Sequence, residues 1–263
     1  MTSESAYTTQ LQAGLGMIPE TMELLRLWEP GMIPSKLADR AVEDGIFSRA
    51  TARRTRNLAA EMFAPRYLAD QGVAASRLKF LLENRFSHEA IVQLCFLYTA
   101  RAQRVFAGFV IEVYWPKYSA GASVLSKEDA ERFIHRALDA GRMSARWADS
   151  TIRRVSGYLV GCCIDFGLVA EGKRNARQIQ RFSIRPEVAL YLVHDLHFSG
   201  LSDMTLIRHP DWLLFGFEPQ EVVSQLKNLA NDGHLLVQSS GELVQISWKY
   251  KTMEECLHVL TQR

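Results

Sequence analysis

Arginine is the residue that groups most densely in this chain of 263 residues. Its planar fork of donors suits phosphate oxygens and the O6/N7 edge of guanine. The tightest group lies between Ser48 and Phe63. At about 100° per residue, Arg49, Arg53 and Arg56 fall within roughly 60° of one another, and Arg54 on the same helix is a further candidate contact. Thr51, Leu58 and Met62 take the opposite side, and no acid occurs from Gly45 to Ala60. A core face opposed to an arginine face, following a short helix and a glycine turn, is the layout of a groove-entering recognition helix. The plainer reading is a solvated surface helix.

A second group begins at Ser150, where a helix is expected to run to near Gly167. Ile152, Val155, Leu159, Cys162, Cys163 and Phe166 share one side, and Ser150, Arg153, Arg154, Gly157 and Gly161 the other. The two glycines would admit either a groove or a second helix. Lys173, Arg174, Arg177, Arg181 and Arg185 follow with no acid among them. They fall on a predicted hairpin of Leu168–Glu171 and Gln178–Ile184, tipped by Gly-Lys-Arg-Asn. A wing of that charge beside a basic helix would span the flanking phosphates; the alternative is a flexible basic loop.

Catalytic signals are weak. The phosphate-loop, dinucleotide, nucleophile-elbow and zinc-protease patterns are all missing. His194-x-x-His197 could set two imidazoles together on a helix, but further ligands, His209 or Asp211, lie beyond a loop. These histidines are read as packing or surface residues, so no catalytic residue, metal ligand or cofactor is assigned. The tryptophans and phenylalanines follow the apolar faces and are read as core. Tyr114–Trp115 beside Lys117 is the one ambiguous aromatic group.

The elements that must position these groups are mostly helices. Polar residues up to Pro19 form an arm or a short first helix. Helices are then expected over Glu20–Trp28, from Ser35 to Asp44–Gly45, and from Phe47–Ser48 to Phe63 or beyond. Two or three apolar helices fill Ser76–Trp115, and a break follows at Pro116–Ser123. Ser126-x-x-Asp129 resembles a capping box opening the next helix, which ends at Gly141. After residue 186 come helices near Leu201–Ile207, Trp212–Phe215 and Pro219–Asn231, then a second hairpin of His234–Gln238 and Glu242–Trp248, and a last helix over Met253–Leu260. With a short piece expected around Trp147 between the Ser126 and Ser150 helices, helix–helix–helix–hairpin, the outline of a winged helix, occurs twice after residue 125.

The expected fold is mainly α and multi-lobed, with helix-turn-helix and winged-helix units and two small β-hairpin wings. Its parts are an N-terminal helix-turn-helix lobe (1–70), a central helical segment (71–125), a winged-helix-like lobe with the basic wing (126–186) and an acidic winged-helix-like lobe (187–263). Composition agrees: 48% hydrophobic and 23% charged residues exclude a disordered chain or a disulfide scaffold. Four cysteines without a C-x-x-C spacing suit a reducing compartment. The most apolar stretch, Ala90–Trp115, is cut by Arg101, Arg104 and Glu112, short of the ~18 apolar residues that a membrane span needs. No secretory leader is recognised, and a cytoplasmic protein without membrane contact is expected. The net charge of +2 conceals +7 over the first 185 residues and −5 from Pro186 onward. Positive potential is therefore concentrated where the arginine groups lie, and the last lobe would repel a phosphate backbone.

Tyr7-Thr8-Thr9-Gln10-Leu11, Gly14, Glu23-Leu24-Leu25 and the Asp39–Gly45 turn leading into Ser48-Arg49-Ala50-Thr51 resemble the BrxA family of bacteriophage-exclusion (BREX) defence systems. The resemblance covers residues 5–68 most clearly and extends through the middle helices. It implies a small, mostly helical, non-enzymatic component that binds double-stranded DNA and acts beside a methyltransferase, an ATPase and other BREX defence proteins. It also brings comparison with an RNA-binding antitermination factor, so RNA is a further candidate ligand, and a label of inner-membrane protein that the chain's hydropathy contradicts. The rival reading is a protein–protein adaptor whose helix-turn-helix units are structural.

Overall fold

In a computed structural model, which describes residues 6–9, 11, 15–143, 145–172, 176–240 and 243–262, the chain is mainly helical, with two small antiparallel pairings of strands. It packs as two compact units: residues 1–79 with 95–182, and residues 80–94 with 183–263.

The first unit opens with α1 (Ile18–Leu27) and α2 (Pro34–Glu43), each with a proline in its first turn, where the missing amide costs nothing. α3 (Ala52–Asn57) starts later than the arginine pattern predicted. Thr51 caps it, its side chain accepting from the Arg54 amide at 3.2 Å, so Thr51 faces solvent and not the core. The helix continues past Phe63, within the expected range. A π-helical stretch, Leu58–Phe63, carries it into α4 (Ala64–Tyr67). After a 3-10 turn, α5 (Val73–Glu83), α6 (His88–Ala102) and α7 (Arg104–Phe109) follow. A second π-helical stretch, Val110–Tyr114, leads into α8 (Trp115–Ser119).

Both π stretches precede a proline. The Ala64 and Trp115 amides bond five residues back, to Ala59 and Val110, and Pro65 and Pro116 come next. A proline ring inside a regular helix strikes the carbonyl four residues earlier. Widening one turn gives the ring room, so the helix passes through. The break expected at Pro116 therefore falls after Ser119.

β1 (Val124–Ser126) runs into α9 (Lys127–Asp139) through the expected capping box. The Ser126 hydroxyl accepts from the Asp129 amide and the Asp129 carboxylate from the Ser126 amide, at 3.2 and 2.8 Å. α10 (Asp149–Asp165) buries Ile152, Val155, Leu159, Cys162 and Cys163. The hairpin after it forms: Ala170 donates to Gln178 and Gln180 to Leu168. Its returning strand, β2 (Ala176–Gln178), also pairs on its other side with β1, in register Val124↔Gln178 to Ser126↔Ala176. Residues 145–148, where a short helical piece is expected, are not helical, so the order is helix–strand–helix–helix–hairpin.

In the second unit α11 (Pro186–Phe198), α12 (Asp203–Ile207), α13 (Asp211–Leu214) and α14 (Pro219–Asn231) lead to β3 (Leu235–Ser240) and β4 (Leu243–Trp248), and α15 (Met253–Leu260) follows. From α12 onward this matches the predicted succession, α11 is not delimited from the sequence, and the strands run nearer the tip than expected, with Ser240 opposite Leu243. Gln93 joins the first half of α6 to this unit. Its side-chain amide donates to Ser183 and its oxygen accepts from the Arg185 amide.

No single helix among the described residues is long and apolar enough to cross a membrane, and α6 and the helical run after it bend by 109° at their break.

Gly72 has φ +80°, and a Cβ there would lie 2.6 Å from the buried Trp28 ring. Gly72→Ala combines backbone strain with overpacking and should destabilise the protein by about 2–4 kcal/mol. A fall of the urea midpoint without change of slope would report it.

Candidate nucleic-acid interface

On α3 the arginines point outward. Arg53, Arg54 and Arg56 are exposed on the helix, while Arg49 lies in the turn before it. Of the expected face of Arg49, Arg53 and Arg56, two arginines are therefore helical and one lies in the turn, because the cap is Thr51 and not Ser48. Arg56 is half neutralised by Asp39 of α2 at 3.3 Å, an exposed pair of small energetic weight. Among the described residues, Arg49 and Arg53 form no ion pair.

On α10, Ser150, Arg153 and Arg154 are exposed, and the two arginines have no ion-pair partner among the described residues. The two glycines differ. Gly157 opens onto empty space, whereas a Cβ at Gly161 would sit 3.1 Å from the Leu15 side chain. Gly161 thus accommodates the chain's own N-terminal segment, and only Gly157 leaves the helix bare.

The basic hairpin divides. Lys173 and Arg174 lie outside the described residues. Arg177 is not a tip residue: it lies in β2 opposite Leu125 and is half-buried. Arg181 is exposed beyond the strand. Arg185 belongs to the second unit, where it flanks α11 and pairs with Glu187 at 2.7 Å. Sequence periodicity missed Arg146, which is exposed and unpaired among the described residues in the turn before α10. Its signal is its place between two helices, which a search for helical faces passes over.

Where residues 6–17 are described, they do not form a loose arm. Tyr7 and Leu11 are buried, and Tyr7 pairs with Met143 in a parallel bridge. The spacing of Tyr7, Leu11 and Leu15, four residues apart in polar sequence, was the legible sign.

His194, His197 and His234 of the second unit are packed. The His194 Nδ1–H donates to the Leu190 carbonyl at 2.8 Å, and Nε2 is buried without a partner against Trp248, Tyr250 and Phe198. His197 stacks on Trp248 at 3.9 Å, and His234 bonds the Tyr250 hydroxyl. Among the described residues no group of three or more His, Cys, Asp or Glu side chains is placed to hold a metal.

Charge separates the units. The first carries 24 Lys/Arg against 17 Asp/Glu, and the second 7 against 12. A basic helical unit joined to an acidic one, without a metal cluster among the described residues, defines a mainly helical chain with its surface positive charge on one unit. The BrxA family profile matches residues 5–195, and the chain belongs to that family, of the BREX anti-phage defence systems. No curated protein matches it. Its fold is similar to the crystal structure of an uncharacterized protein from Magnetospirillum magneticum, with TM-score 0.58 at 13% identity, covering 73% of this chain and 95% of that one. At that identity the likeness shows the fold alone.

Burial pushes the His194 imidazole down to about 4 from 6.5, and the neighbouring His197 and His234 add to the effect. A group whose folded value is depressed favours the folded state above its unfolded pKa. Stability should therefore fall as pH drops from 6.5 towards about 4, by roughly 3 kcal/mol in all. Urea unfolding at pH 7 and pH 5 should show this, and His194→Phe should flatten most of the difference.

Proposed function

We propose that this BREX component is a non-enzymatic protein that binds double-stranded DNA through the first unit. α10 would enter the groove, and Arg146, Arg153, Arg154 and the α3 arginines would meet phosphates. The observation that carries the reading is the set of outward, unpaired arginines on α10, within a helix–strand–helix–helix–hairpin unit whose order is that of a winged helix. Those guanidiniums have no internal role, and phosphate oxygens are the acceptors that suit their geometry. The hairpin with Lys173, Arg174, Arg177 and Arg181 would serve as its wing. A cytoplasmic setting follows from this ligand.

A second role accompanies it. The second unit repeats the helix–hairpin order, but Lys227 is the only cation between Pro219 and Trp248, and its acidic balance would repel a phosphate backbone. We assign it to contact with other defence-system proteins. The same arrangement makes duplex DNA a better ligand for the first unit than RNA, whose deep, narrow major groove does not admit a helix.

A mobility-shift titration with duplex DNA, single-stranded DNA and RNA at several salt concentrations tests both. Duplex should bind at micromolar concentration or tighter at low salt, and log affinity should fall with log salt by about 0.9 per phosphate contact. Arg153→Ala with Arg154→Ala should weaken binding and lower that slope, whereas Lys227→Ala should leave both unchanged. Binding indifferent to salt, or equal losses from both units, would refute the assignment.

A further inference from the structure

Two regions of the first unit carry the outward arginines: the lobe of α1–α4 and the lobe around α9–α10. Residues Leu15–Met17 are held by both. From the first lobe, the buried Arg66 of α4 donates to the Leu15 carbonyl at 2.8 Å. From the second, the Asp165 carboxylate at the end of α10 accepts from the Gly16 amide at 2.7 Å. Burial lifts that carboxyl above its usual range, and the amides of Gly16 and Met17 pull it back. Contact is close enough to restrict residue type. A Cβ at Gly16 would lie 2.5 Å from the Asp165 Cβ, and Leu15 lies against Gly161. Met17 then takes φ +47°, a conformation uncommon for a side-chain-bearing residue, and α1 begins immediately after it.

Before Leu15–Met17, Tyr7 is held at the end of α9 and against α7. The Tyr7 amide donates to the Arg142 carbonyl at 2.8 Å, and the Arg142 guanidinium lies over the Tyr7 ring at 5.3 Å. A Cβ at Gly108 would strike the Tyr7 hydroxyl at 2.1 Å. The chain is thus anchored to the second lobe before it becomes the first helix of the first lobe.

We propose that Leu15–Met17 is a strap that fixes the arginine helix α3 relative to α10, so that duplex DNA meets one rigid footprint drawn from both lobes, with Asp165 as its positioning residue. The proposal rests on the DNA-binding reading. Asp165 needs no contact with DNA: it acts through the Gly16 amide. Two basic patches held rigidly add their binding free energies, and loosening the link lowers the effective concentration of the second patch once the first has bound.

The test compares the full chain with Asp165→Ala, Asp165→Asn and Gly161→Leu. Asparagine keeps an oxygen for the Gly16 amide. Leucine at 161 improves helix propensity while displacing Leu15, and so loosens the strap independently of the carboxylate. Hydrogen exchange of residues 15–17 reads the strap, and salt-dependent duplex binding reads the footprint. Asp165→Ala and Gly161→Leu should speed exchange in the strap, weaken duplex binding roughly tenfold and reduce the salt slope, because one lobe then binds at a time. Asp165→Asn should restore most of both. In the Asp165→Ala background, adding Arg53→Ala should cost much less than it does in the wild type. A loosened strap with wild-type affinity and slope in either variant would overturn the strap's role alone. Failure of the wild type to bind duplex at low salt would overturn the DNA-binding reading and this inference with it.

Discussion

A guanidinium buried as deeply as Arg66, 3% exposed, must find oxygen acceptors or the lobe around it does not form. It donates to the Leu15 carbonyl, with the Thr99 hydroxyl at 3.5 Å. Its acceptors thus include backbone from the N-terminal segment and a hydroxyl from the last turn of α6. The consequence runs outward. The segment must lie across the first unit, Gly16 must be small, Asp165 must close the other side, and α1 must start from a left-handed Met17. The surface arginines of α3 and α10 occupy faces that this buried network does not use.

Much of this order is legible in the residues. Pro219 and the apolar spacing after it mark α14 from Pro219 to Asn231, and Ser126 with Asp129 marks the start of α9, because local hydrogen-bonding and steric rules decide both. Where two local signals compete, periodicity misleads. Ser48 and Thr51 could each cap the arginine helix, and choosing the first places Arg49 on a helix that begins at Ala52. Pro116 reads as a stop, but a widened turn before it lets the helix continue, as another does before Pro65. The pairing of β1 with β2 joins residues about fifty positions apart, and no local pattern encodes it. The strap is hidden for the same reason. Its anchors are one aromatic and two leucines in polar sequence, and their partners, Arg66, Gly108, Arg142 and Asp165, are scattered along the chain.

The candidate interface was legible in residue type more than in placement. Arginine on α3 and α10 is exposed as the pattern required. Arg177 is drawn into a strand and Arg185 into a pair with Glu187, so neither adds free charge at a hairpin tip. Arg146 takes part of that role from a turn. The division of charge between the units gives one chain two chemically distinct surfaces, which suits the proposed pairing of a DNA-binding unit with a protein-contacting one.

Hydrogen exchange of the full chain with and without a duplex long enough to cover both arginine-bearing helices tests the central claim most directly. The account predicts slowed exchange in α3, in the first turns of α10 and in residues 145–148 and 176–181, with α14, β3 and β4 unchanged. Protection centred on α14 and the β3–β4 hairpin, or uniform across both units, would contradict it.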